Sequence, residues 1–291
     1  MQICNLILAH KNPLQLQRLV KALSHPACRS FIHIDKKVAE APFRDLLDNQ
    51  PNVTFIKNRT AVHWGGFTTV LTVARAIKEI ASSGVPYDYV NLLSAQDYPI
   101  KPVARFVCYL ENNPDKNFIH FIKETEGGEW WQENRERFRR YHFNEFSFRG
   151  KYLVQRLVNR VMPQRRIPAH WSLYGGNCAT WWTINAETAT HLADRILNDR
   201  VLQQFTKFTW GIDEIVFPTI IMNAPVTTTA INNNLRYIDW SEGNAHPKTL
   251  TKNDFAALEQ SEHFFARKLD METDRELFDL IDKRLLLRDN Q

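Results

Sequence analysis

The sequence predicts an α/β protein with a mostly parallel, twisted sheet flanked by helices. Three observations predict it. Short apolar runs alternate with helical patterns through roughly the first 125 residues, the pattern of parallel strands joined by right-handed crossovers. The 291 residues are 44% hydrophobic and 24% charged, enough for one large domain or two tightly joined ones. No internal repeat, low-complexity tract or long linker interrupts the chain, so residues 1–291 read as one unit with halves 1–125 and 126–291.

The elements follow in order. Residues 2–9 form a first buried strand; the run lacks the basic flank of a signal peptide and leads straight into a helix signal. That signal is Asn12-Pro13, a capping side chain followed by proline at the first helical position. Leu16, Leu19, Val20 and Leu23 then share one apolar face. Residues 31–34 are a second strand ending at Asp35, 41–47 a short helix and 53–56 a third strand. Val62-His63-Trp64-Gly65-Gly66 is a loop opening a helix that runs to about residue 80. Residues 89–93 are a fourth strand, ending in Ser94-Ala95-Gln96-Asp97-Tyr98-Pro99. Ligands bind beyond the carboxyl ends of strands in such sheets, so Asp35 and Asp97 should share one rim. Each also reads as an ordinary strand end or turn former.

The second half is less regular. Residues 124–149 are rich in aromatics and charges without a clear period. Residues 151–162 form a basic amphipathic helix with Tyr152, Leu153, Leu157, Val158 and Val161. It reads as a surface helix packed on the core, with an anionic membrane contact as the alternative. Residues 177–184 are a strand in which Trp181 and Trp182 alternate, one facing the core and the other lining a cleft. Residues 202–223 hold the run Phe208-Thr-Trp-Gly-Ile-Asp213-Glu214. Residues 235–240 are a late strand, 253–265 a helix and 272–288 a closing helix.

Composition narrows the function. Net charge is +5 and the pI about 9.0, suited to phosphates or an anionic surface. The 37 Lys and Arg are spread along the chain, which is no nucleic-acid signature. Cys4, Cys28, Cys108 and Cys178 make no C-x-x-C or zinc spacing and read as buried thiols in a reducing compartment. No apolar stretch approaches the length of a membrane span. Dinucleotide, P-loop, nucleophile-elbow and H-E-x-x-H motifs are missing. So is D-x-D, the usual manganese site of nucleotide-sugar enzymes. Asp213 and Glu214 fall on the first turn of an apolar helix, where acids also sit for electrostatic reasons alone. Asp213 suits a helix cap and Glu214 a general base. Arg267 and Lys268 are adjacent cations just after a helix, placed to balance a diphosphate or to complement that helix end.

Several segments resemble the core 2/I-branching β-1,6-N-acetylglucosaminyltransferases and the related peptide O-xylosyltransferases. They are Phe31-Ile-His-Ile-Asp35-Lys36, Val62-His-Trp-Gly-Gly66, Val90-Asn-Leu-Leu-Ser-Ala-Gln-Asp97-Tyr-Pro-Ile-Lys101, Arg165-Arg-Ile-Pro168, Gly175-Gly-Asn-Cys-Ala-Thr-Trp181-Trp182, Asp213-Glu214, Asn232-Asn-Asn-Leu-Arg236-Tyr-Ile-Asp-Trp240 and Phe265-Ala-Arg-Lys-Leu-Asp270. They occur in the family's order over roughly residues 1–270, and several lie nearer the xylosyltransferase branch. The resemblance implies a GT-A-like fold, a UDP-sugar donor carrying GlcNAc or xylose, inversion at the anomeric carbon and no required metal or other cofactor. It implies a nucleotide-binding first half and an acceptor and catalytic second half. Carried over by residue, Glu214 matches the catalytic base, Asp35 a uridine contact and Asp97 a carboxylate near the donor sugar. Trp240 matches an aromatic of the sugar site, and Arg267 and Lys268 the cations that neutralise the diphosphate. Lys248 is a weaker match to the same role, and His10, at a strand end, is a candidate nucleotide contact. Trp181, Trp182 and Asp213 fall in the sugar and acceptor region.

Animal members carry a membrane anchor, a stem and many disulfides, none of which is visible here. The expectation is therefore a bacterial, cytoplasmic catalytic domain, peripheral at most to the inner membrane. Its acceptor would be a glycan, a lipid-linked glycan or a protein hydroxyl. A non-catalytic nucleotide- or glycan-binding protein that keeps the fold is the rival reading.

Overall fold

A computed structural model describes residues 1–167, 171–224 and 229–287. Pro168 and Arg288, each the end of a segment named above, lie outside the described residues. In the first half β1 (Ile3–Ala9), α1 (Pro13–Ala22), β2 (Cys28–Ile34), α2 (Ala41–Leu47), β3 (Val53–Phe55), α3 (Phe67–Ser82) and β4 (Tyr89–Ser94) alternate as expected. The Asn12 side chain accepts the Gln15 backbone N–H and Pro13 opens α1, so the cap works as its sequence indicates. Then come β5 (Tyr98–Pro99), α4 (Val103–Glu111), β6 (Asn117–Ile119) and β7 (Ile122–Lys123). The aromatic, charged stretch holds α5 (Glu129–Asn134) and α6 (Glu136–Arg139), followed by α7 (Lys151–Val161). Next are β8 (Tyr174–Gly175), β9 (Thr183–Asn185), α8 (Ala186–Asn198), α9 (Arg200–Thr206) and α10 (Asp213–Met222). The chain closes with β10 (Ala230–Asn232), β11 (Arg236–Ile238), α11 (Phe255–Gln260), β12 (Phe265–Arg267) and α12 (Arg275–Ile281).

The main sheet has the order β10-β6-β9-β4-β1-β2-β3. Only β9 runs against its neighbours, pairing antiparallel with both β4 and β6. Strands from before and after residue 125 therefore share one sheet. Side chains alternate across it with period two. Ile3 and Ile7 of β1 enter a core with Leu16 and Leu19 of α1 and Phe278 of α12. Cys4 and Leu6 enter the opposite core with Val70 and Ile77 of α3, Leu192 of α8 and Phe217 of α10. A smaller sheet, β11-β12-β5, lies at the carboxyl ends of the long strands.

Several expectations need correction. The late helix is short: a 3₁₀ turn at Lys252–Asp254 leads into α11, and residues 265–267 are strand. Phe265, Ala266 and Arg267 are buried between β11 and β5, so Arg267 and Lys268 do not sit at a helix C-terminus. The strand expected over 177–184 contracts to β9 because the chain turns at Gly176, where the Ala179 N–H bonds the Gly176 carbonyl. Residues 202–223 hold α9 and α10, separated at Gly211, whose φ of 63° requires glycine. Asp213 and Glu214 open α10, on the first turn where the sequence places them. The closing helix ends at Ile281 and continues as a π-helical segment, Asp282–Leu286. No residue of α7 is buried, so it does not pack on the core through its apolar side. Cys4 and Cys28 are buried, but Cys178 is only partly so and Cys108 is exposed. Among the described residues no helix is long and apolar enough to cross a membrane.

Candidate active site

A cavity of about 600 Å³ opens where the carboxyl ends of β1, β2 and β4 meet the start of α10 and the ends of β11 and β12. That is where an α/β sheet of this kind binds ligands. The first wall is α10. The loop Val62–Gly66 clamps its start: the N–H groups of Gly211 and Ile212 both donate to the Gly65 carbonyl, at 2.7 and 3.3 Å. A Cβ on Gly65, at φ 65°, would lie 3.0 Å from Trp210 Nε1. One on Gly211 would lie 2.6 Å from Arg137 Nη1. Both glycines are thus fixed by conformation and by close approach.

Glu214 lines the cavity from this clamped turn. Arg137 Nη1 donates to its Oε2 at 2.5 Å, and the same guanidinium lies 4.5 Å from the Trp210 ring centroid. Burial, aided by the adjacent Asp213 charge, pushes the Glu214 carboxyl up to about 7, while Arg137 pulls it down. Asp213 also lines the cavity, and burial raises its pKa as well. It is not a cap. Its Oδ2 accepts the Thr180 hydroxyl at 2.8 Å, and α10 starts without a side-chain cap.

The second wall is cationic. Arg267 and Lys268 line the cavity at the end of β12. The Arg267 guanidinium lies 4.2 Å from the Trp181 ring centroid, and its Nη1 is 3.1 Å from Asp97 Oδ1. Among the described residues, Arg267 Nε has no hydrogen-bond partner. Beneath it Arg236 is fully buried, donating to Asn91 Oδ1, the Leu92 and Trp182 carbonyls and Thr183 Oγ1. Two buried arginines thus share one buried carboxylate. Burial lowers the pKa of both and raises that of Asp97, against the attraction of the pair. Lys268 is likewise pushed down, by burial and by Lys11. Asp213 also attracts Arg267, and an anion in the cavity would meet Arg267 and Lys268 at this wall.

The third side is the nucleotide-sized end near β1 and β2. Asp35, His10, His33 and Lys37 line it. Asp35 accepts the Lys37 N–H at 2.8 Å, and Lys37 Nζ lies 3.6 Å from its Oδ2. His33 Nε2 accepts the Thr60 N–H, and burial lowers its pKa to about 4, so it is a neutral structural ring. Burial likewise lowers His10. Trp240 closes this volume, its Nε1 donating to Cys178 Sγ at 3.3 Å. Among the described residues, no group of three or more His, Cys, Asp and Glu side chains is arranged to hold a metal ion.

With this geometry in place, comparison with known proteins is informative. The model of the Core-2/I-branching enzyme family matches residues 3–264. The chain belongs to the Core-2/I-branching enzyme family. This family member is 26% identical to a xylosyltransferase of Ciona intestinalis over 98% of the chain and 34% of that protein. It is 26% identical to xylosyltransferase 2 of Rattus norvegicus, over 93% and 32%. Against xylosyltransferase 1 of Homo sapiens the figures are 26%, 92% and 28%. The chain thus spans about a third of the length of these curated relatives. Among solved structures, the apo form of mouse xyloside xylosyltransferase 1 aligns over 91% of the chain and 97% of that protein, with 13% identity and a TM-score of 0.42. The apo structure of the WbbM bifunctional glycosyltransferase aligns over 91% and 45%, with 12% identity and a TM-score of 0.40.

In this Core-2/I-branching family member, the structure brings Glu214, Asp213, Asp35, His10, Trp181, Trp240, Arg267 and Lys268 to one cavity. Three other predicted residues stand elsewhere. Asp97 is fully buried and outside the cavity lining, with Arg267 Nη1 3.1 Å from its Oδ1. Trp182 is fully buried against Phe217 of α10, the core-facing member of its pair. Lys248 bonds Asp254 at 2.6 Å and lies 3.8 Å from Asp239, outside the lining, so its charge is already matched. Sequence reasoning missed Arg137, which sits 77 residues from Glu214 in a stretch without periodicity. It also missed Thr180, the partner of Asp213.

Proposed function

We propose that this protein is an inverting, metal-independent glycosyltransferase that moves GlcNAc or xylose from a UDP-sugar to an acceptor hydroxyl. One observation carries the reading. A carboxyl poised near neutrality and two adjacent cations, buried Arg267 and half-buried Lys268, face the same cavity. Glu214 takes the acceptor hydroxyl proton as that oxygen attacks C1 of the sugar. The C1–O bond to UDP breaks, and its electron pair goes to the β-phosphate oxygen. Arg267 and Lys268 offset the charge that develops there, in place of a metal. Asp35 and His10, at the ends of β2 and β1, are assigned to the nucleotide. Trp181 and Trp240 are assigned to the sugar. Asp213, bonded to Thr180, is assigned to the acceptor side next to the base.

The xylosyltransferase relatives support the donor class. The acceptor assigned here is a bacterial surface-glycan intermediate made in the cytoplasm, a reading supported by the basic net charge of +5. The test is a panel of UDP-sugars scored by UDP release and by thermal shift, with and without a chelator. UDP release from one sugar, unchanged by chelator, is expected. Binding of UDP without turnover of any sugar would replace this reading with that of a binding protein.

A further inference from the structure

α7 is mounted with its polar side toward the protein. Asn159 accepts the Tyr141 N–H and donates to the Tyr141 carbonyl, each at 2.8 Å. Gln155 Oε1 accepts the Phe143 N–H at 2.8 Å. The opposite side of the helix is apolar and bare: Leu153, Leu157 and Val161 are 62%, 55% and 77% exposed, with Val154 beside them. A surface helix of a globular protein normally does the reverse. Spacing of four residues puts Leu153, Leu157 and Val161 on one ridge. Lys151, Arg156 and Arg160 flank that apolar arc on both edges, within reach of a plane that the ridge enters.

Charge tells what covers it. Residues 147–166 contain six Lys and Arg, and no Asp or Glu occurs between Glu145 and Glu187. Those six exceed the net charge of the whole chain, +5. A polar recess beside the helix is lined by Arg140, His142, Arg156 and Arg160. A second copy of this chain packed on the ridge would bring the same cations against themselves. An anionic bilayer offers both an acyl boundary for the ridge and phosphates for the arginines.

We propose that α7 lies in the plane of an anionic lipid bilayer, with Leu153, Leu157 and Val161 in the headgroup–acyl boundary and Arg156 and Arg160 against lipid phosphates. The mount connects to the catalytic end. His142 N–H bonds the Phe208 carbonyl, and the Tyr141, Phe143 and Phe146 rings pack on Phe208. Phe208 stands just before Trp210 and Glu214. The bilayer surface would then lie on the side of the base. The proposal stands without the catalytic reading, because lipid binding is scored with no sugar present.

The experiment is co-sedimentation of the protein with vesicles of phosphatidylcholine alone or with about one-third phosphatidylglycerol, at low and raised salt. Binding is expected only with the anionic vesicles and should weaken steeply with salt. Leu153→Gln/Leu157→Gln/Val161→Gln should lower the partition about tenfold or more, since the apolar anchor is lost. Arg156→Glu/Arg160→Glu should do the same through charge. Both variants should keep the wild-type melting temperature and UDP-induced thermal shift, as these residues face outward and line no part of the cavity. No binding to anionic vesicles, equal binding to both kinds, or binding unchanged in either variant overturns the proposal. So does a dimer in sedimentation velocity that the apolar variant dissolves, which would make a second copy the occupant of the ridge.

Discussion

The two walls of the cavity each contain an ion pair, and the pairs are built in opposite ways. On α10 the residue proposed to react is Glu214, and both it and Arg137 remain partly exposed, with side chains 18% and 22% accessible. At β12 the residue proposed to meet the diphosphate is Arg267, and its partner carboxylate Asp97 is sealed completely. The first arrangement leaves a carboxyl that titrates near 7, because burial and Asp213 outweigh one cation. The second fixes a charge that does not titrate, since a guanidinium stays protonated over the working range. A group that must exchange a proton needs the first environment, and one that must hold a phosphate needs the second.

The comparison breaks most visibly at Glu214. Glu214→Gln should cut turnover by about 10²–10⁴-fold, the usual range for a lost general base, with UDP affinity unchanged. Sugar-dependent UDP release alongside UDP titration checks this. On the other wall, Asp97→Asn leaves Arg267 buried without its counter-charge. It should cost about 3–5 kcal/mol in stability by denaturant unfolding, and bound UDP should recover part of that loss. A loss in turnover at unchanged stability would instead make Asp97 a substrate contact. Gly211→Ala tests the clamp between the walls. Its φ of 63° and its approach to Arg137 should cost about 1–3 kcal/mol and lower turnover, because the turn carrying Glu214 shifts. Lys248→Ala should have the smallest effect. Its half-buried pairing with Asp254 lies outside the cavity, so UDP affinity should stay within about twofold.

The same contrast explains what the sequence could and could not tell. The succession of strands and helices in the first half was readable, because short apolar runs and the Asn12-Pro13 start of α1 are local signals. Alternation also separated Trp181 from Trp182. The burial of Asp97 was not legible, because a carboxylate at a strand end can point up into a site or down into the core, and only tertiary packing decides. Arg137 left no trace, since its partner is 77 residues away and its surroundings lack a period. Arg267 and Lys268 looked helix-terminal because the apolar run Phe264-Phe265-Ala266 fits a short strand as well as a helix end. For α7 the sequence showed two faces but not which one turns inward, and the bonds of Gln155 and Asn159 settle that.

The most direct measurement is the pH dependence of kcat/KM for sugar transfer, for the native protein and for Arg137→Gln side by side. Glu214 is active when ionised, so the native rate should rise with pH through an apparent pKa of about 7 and then level off. Arg137 stabilises the carboxylate, so its removal should move that rising limb to higher pH and leave the plateau less affected. A profile flat between about pH 5 and 9, or one that Arg137→Gln does not move, would contradict Glu214 as the base held ready by burial and one arginine.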